Sequence, residues 1–115
     1  MAIQITTNLH VVPQQVSLPA SIVLEQDLIS NHSSETVVTE YSMAAGHDVW
    51  FELADGTPSK SVTFSATVTD TGTTLQQPAR LVRHVGTPLD VSVGIDQRIT
   101  DATGHHLLDH TFVTI

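Results

Sequence analysis

The sequence predicts an all-β chain, a single antiparallel β-sandwich over residues 1–115 of Ig-like or jelly-roll-like architecture, with about eight short strands. Three observations carry that expectation. Apolar and polar residues alternate over long stretches, the period of a strand with one buried face. Val, Ile and Thr supply many of the alternating positions, and β-branched side chains lose little rotamer freedom on a pleated surface. Asp and Gly recur together between the alternating runs, where Asp bonds its own backbone and Gly supplies positive φ.

Taken in order, Ile3, Ile5, Leu9 and Val11 alternate with Gln4, Thr6, Asn8 and His10, which reads as one half-buried strand. Less regular runs cover Ala20 to Ser30 and Thr36 to Ala44. Val49, Phe51 and Leu53 then alternate with Asp48, Trp50 and Glu52. The clearest alternation sets Val62, Phe64, Ala66 and Val68 against Ser61, Thr63, Ser65, Thr67 and Thr69. Another irregular run covers Leu75 to Val85. Leu89, Val91, Val93, Ile95 and Ile99 follow against Asp90, Ser92, Asp96, Arg98 and Thr100, with Gln97 as the one polar residue on the inner face. The last run spans His106 to Ile115. Turns at Ala54–Pro58, Asp70–Thr73 and Asp101–Gly104 are hairpin candidates, and Pro13, Pro19, Pro78 and Pro88 fall near the ends of apolar runs, where a missing N–H does least harm. Single helical turns fit only at Ser42–His47 and at Pro78–Leu81. The expected core holds Val49, Phe51, Val62, Phe64, Val68, Val91, Val93 and Ile95.

A chain of 115 residues that is 40% hydrophobic removes about two-thirds of its unfolded surface on folding, enough for one core. Formal charge is −8, from twelve acids against four bases, Lys60, Arg80, Arg83 and Arg98. This acidic balance argues against nucleic acid and against an anionic membrane surface as partners. The chain is cysteine-free, so disulfide frameworks, thiol nucleophiles and thiolate metal sites are excluded together. Met1-Ala2-Ile3-Gln4 begins without a basic lead or signal-length apolar run, which leaves cytoplasm, virion and a secreted mature chain open. Asn31-His32-Ser33 fits the glycosylation sequon, a tripeptide common by chance.

Catalytic motifs are missing: there is no nucleophile elbow, no His-Glu-x-x-His and no phosphate-binding glycine loop. The seven histidines are many for this length, but His106 and His110 on one strand face make at most half a metal site, and no metal or cofactor is assigned.

Two faces stand out as candidate sites. Trp50 falls on the polar side of its strand with Asp48 and Glu52, an arrangement suited to stacking on a sugar or docking to a protein if the ring is exposed. On the last strand His106, Leu108, His110 and Phe112 share one face while Leu107, Val113 and Ile115 share the other. A strand apolar on both sides is either central in the sandwich or meets another chain, and for so small a domain the second is expected. Acidification would then crowd imidazolium groups at the contact and release it.

The leading expectation is a non-catalytic binding or self-assembling module acting through protein–protein contacts as a homo-oligomer. The alternatives are a carbohydrate-binding, lectin-like domain using Trp50 and nearby polar residues, and a metal-dependent enzyme using a His cluster.

Overall fold

The computed structural model describes residues 3–31, 33–84 and 91–115. The expected strand residues Leu89 and Asp90, Pro88, and the sequon's His32 lie outside them. In chain order the described strands begin with β1 (Ile3–Ile5), β2 (His10–Val12), β3 (Ala20–Ser30), β4 (Glu35–Met43) and β5 (Trp50–Glu52). They continue with β6 (Pro58–Ser59), β7 (Ser61–Val68), β8 (Thr73–Val82), β9 (Ser92–Thr100) and β10 (His106–Thr114). All pair antiparallel in two sheets that pack against each other as a β-sandwich. No helix occurs among the described residues.

In the six-stranded sheet, β1 and β2 pair with successive parts of one edge of β3, which is followed by β8, β5 and β6. The four-stranded sheet runs β10, β9, β4, β7. Alternation decides which side chains enter: on β3, Ile22, Leu24, Gln26, Leu28 and Ser30 are buried and their neighbours are not. The strand count is higher than expected partly because the first alternating run breaks between Ile5 and His10. Thr6 N and Thr7 N both reach the Asp27 carbonyl, at 2.9 and 3.4 Å, and Thr7 Oγ1 accepts from Asp27 N, so the chain leaves the ladder there.

Two of the three Asp–Gly turns are hairpins. Ala54–Pro58 joins β5 to β6, with Gly56 at φ +86°, and Asp101–Gly104 joins β9 to β10. The turn at Asp70–Thr73 is not one, because it carries the chain from β7 in one sheet to β8 in the other. Pro78 also departs from expectation, lying within β8 opposite Val23. It is tolerated because β5 pairs with β8 only at Arg80–Val82, so at Pro78 one edge of β8 is open. Ala79–Leu81 accordingly continue a strand, and Ser42–Met43 end one, where helical turns were expected.

Between the sheets the interior divides into two apolar clusters. One includes Leu24, Tyr41, Phe51, Leu81, Ile95 and Val113, and the other Ile3, Leu28, Val37, Val68, Leu75 and Ile99. A belt of buried polar side chains accompanies them. Gln97 Nε2 donates to Gln26 Oε1 at 2.7 Å and to the Tyr41 hydroxyl at 3.1 Å. Gln26 Nε2 donates to Asp109 Oδ2 at 2.9 Å, and Thr39 and Tyr41 both donate to Gln77 Oε1. Burial pushes the Tyr41 phenol up, opposed by its hydrogen bonds. Val49, Phe51, Val68, Val93 and Ile95 are fully buried as expected, whereas Val62, Phe64 and Val91 are only half-buried, the first two because their part of the edge strand β7 borders an open cleft between the sheets.

Candidate functional site

The Trp50 face forms around the end of β5. Trp50 Nε1 donates to Asp48 Oδ1 at 2.8 Å, while Asp48 Oδ2 accepts from His84 N at 3.0 Å. The His84 ring lies 5.2 Å from the Trp50 ring, centroid to centroid, and its Nδ1 is 3.4 Å from Asp48 Oδ1. Lys60 Nζ sits 4.1 Å from the Trp50 centroid, within cation–π range, held there by the His47 and Val49 carbonyls at 2.6 and 2.9 Å. Burial lowers the Lys60 ammonium below the usual lysine range, with the Asp48 charge opposing. Asp48 and Trp50 are thus brought together, but Glu52 turns instead to Arg80 at 3.2 Å. The ring is half-buried, and its π-system is already engaged by Lys60 and His84.

The second candidate lies on the outer face of the four-stranded sheet. β10 is an edge strand, so the central-strand alternative for its second apolar face does not hold. His106, Leu108, His110 and Phe112 all point outward, with Leu108 75% and Phe112 44% exposed. Across the sheet, Leu108 is opposite Arg98 and Phe112 opposite Gly94; Val38, 41% exposed, is on the same face beside Thr100. The His110 ring leans over Gly94, where an added Cβ would come within 3.0 Å of His110 Cε1. His110 Nδ1 is 2.7 Å from Asp96 Oδ1, His106 Nδ1 is 3.0 Å from Thr100 Oγ1, and Arg98 pairs with Glu40 at 3.1 Å. His110 thus has a carboxylate partner within its own chain.

A third feature escapes sequence reading altogether. Between the sheets, beside β7, a cleft of about 590 Å³ is lined by Phe51, Leu53, Val62, Phe64 and Ala79, with Arg80 and Glu52 also in its wall. Sequence reading also missed Lys60 and His84 at Trp50. Both come from segments whose alternation gives no sign of proximity, Lys60 between β6 and β7 and His84 after β8. Asp96 and Arg98 were legible as outward residues, but their neighbours on β10 and β4 follow only from strand order. Among the described residues no three His, Cys, Asp or Glu side chains converge as a metal site requires.

No protein-family model and no curated protein sequence matches the chain. Among solved structures it is similar to Spo0M, the sporulation control protein of Bacillus subtilis, with a TM-score of 0.57 and 12% identity. The likeness covers 99% of this chain and 49% of that one, so the chain spans about half of Spo0M's length. At that identity the similarity is one of fold.

Proposed function

We propose that this domain is a non-catalytic, self-associating module whose contact surface is the outer face of the four-stranded sheet at β10. The observation that carries this reading is the exposure of Leu108, Phe112 and Val38 on one face of the sheet. Large apolar side chains left exposed on one face favour burial against a matching surface. Charge points to a second copy as that surface. The chain carries −8, yet this face holds Glu40, Asp96 and Arg98 with two histidines, so it is close to neutral. Copies that repel elsewhere meet least resistance here.

The carbohydrate reading has weaker support, because a sugar stacking on Trp50 would have to share or displace the contacts made by Lys60 and His84. Sedimentation velocity on the native chain and on a Leu108→Ser, Phe112→Ser double variant tests the proposal. The native chain should exceed monomer mass at tens of micromolar, and the variant should be smaller at the same concentration. A native chain that stays monomeric at high concentration refutes it.

A further inference from the structure

We infer that the open edge of β7 is a second self-association site, at which two copies join their four-stranded sheets through antiparallel β7–β7 pairing. The inference rests on the self-associating reading above but uses a different surface.

Ladder geometry shows what that edge offers. Met43 N donates to Lys60 O at 2.6 Å and Ala44 N to Gly94 O at 2.9 Å. In an antiparallel ladder the bonding direction alternates along the strand, so the odd residues of β4 bond toward β7 and its even residues toward β9. On β7 the even residues therefore face β4. Ser61, Thr63, Ser65 and Thr67 direct their N–H and C=O groups to the other side, where no strand pairs among the described residues.

The other sheet edges are guarded, the unpaired stretch of β8 by Pro78 within it. β1 and β2 have three residues each, and β6 has two and contains Pro58. β10 is closed at one end by Thr114 N to Gln14 O at 2.8 Å and Val16 N to Thr114 O at 2.9 Å, while Asp109 accepts from Leu9 N at 2.8 Å. β7 runs for eight residues without Pro, Gly or any charged side chain. Those are the devices by which an edge refuses a partner strand.

The sandwich is also incomplete beside β7. On its inner side the apolar cleft leaves Val62 and Phe64 half-covered. An added strand would close the edge and roof the cleft in one step, provided it carried apolar residues at alternate positions. β7 itself has that pattern. One register pairs all the outward-bonding residues: Ser61 opposite the partner's Thr67, where the Ser61 N–H would give up its 3.2 Å bond to the Ser59 hydroxyl, and Thr63 opposite the partner's Ser65, with the two-fold axis at Phe64. The inner face then sets Phe64 against the partner's Phe64 and Val62 against the partner's Ala66, while small hydroxyl side chains meet outside. A second copy fits better than an unrelated strand because this uncharged edge lets chains of −8 approach without opposing like charges at the contact. Two separate isologous contacts on one chain build a closed tetramer where their two-fold axes cross and an open chain where they do not, so the native protein should grow beyond a dimer.

Thr63→Lys with Ser65→Lys tests the site, since both side chains are exposed and the two-fold would oppose lysines across the contact. Sedimentation velocity at one concentration compares the native chain, this edge variant, the Leu108→Ser, Phe112→Ser face variant and the quadruple variant, with circular dichroism and thermal unfolding confirming that each is folded. The face variant should be a dimer and the quadruple variant a monomer. Thr63→Ser with Ser65→Thr, which keeps the edge uncharged, should match the native mass. A face variant that is already monomeric overturns the β7 site and leaves the face reading standing. If the edge variant is smaller than native while the face variant is not, the face reading fails and the β7 site survives. A native monomer overturns both.

Discussion

Asp101 closes the β9–β10 turn almost unaided. Its Oδ1 accepts from Thr103 N at 2.9 Å, the Thr103 hydroxyl at 2.7 Å and His105 N at 2.9 Å, and the residue is 6% exposed. The Thr103 hydroxyl foremost, against some desolvation, holds the carboxyl below the usual carboxylate range. The unfolded chain then takes up a proton at higher pH than the folded one. The turn's contribution is complete above the ordinary carboxylate pKa of about 4 and is lost as pH falls through the lower folded value. Urea titrations from pH 5 downward should show native stability declining more steeply than that of Asp101→Asn, and parallel declines would show that the turn does not depend on this charge. The turn was legible in the sequence, because Asp and Gly at that spacing have local chemistry. The role of Gln97 was legible only as an oddity, one amide on an apolar face. Its partners Gln26 and Tyr41 come from β3 and β4, which no local pattern links to β9.

At the scale of elements, burial depends on a strand's place in its sheet. Phe51 and Phe64 both alternate toward the core, yet Phe51 is fully enclosed and Phe64 is half-buried, because β5 is flanked by β8 and β6 while Phe64 lies on an edge strand where the cleft leaves it uncovered, unlike Val68 at the other end of β7. Phe51→Ala should cost about 3–5 kcal/mol in denaturant titration, as for an enclosed ring, and Phe64→Ala about 1–2 kcal/mol at protein concentrations low enough to keep the chain monomeric. Equal losses would mean that β7 is covered in solution even as a monomer. Alternation marks the inner face of each strand through a period of two. Strand order is a long-range matter, so the sequence does not distinguish an edge such as β10 from a central strand. This is why its second apolar face was open to two readings and why the sheet-to-sheet turn at Asp70–Thr73 passed for a hairpin.

For the whole molecule, the net charge of −8 opposes every contact between copies, and that opposition is screened by salt. Raising ionic strength from about 0.01 M to about 0.5 M shortens the Debye length from about 30 Å to a few ångströms, so the weight-average mass of the native chain should rise. A mass that falls with salt would show that charge pairs, not apolar contacts, hold copies together. The all-β class, the inner face of most strands and the shared face of His106, Leu108, His110 and Phe112 were determined by the sequence itself, because each follows from a period of two and from turn residues acting over a few positions. The pairing of Lys60 and His84 with Trp50, the polar belt, the cleft and the unguarded edge of β7 were decided only by the tertiary structure. They depend on which strands become neighbours, and that is settled by packing two sheets around a shared interior rather than by any local preference of the chain.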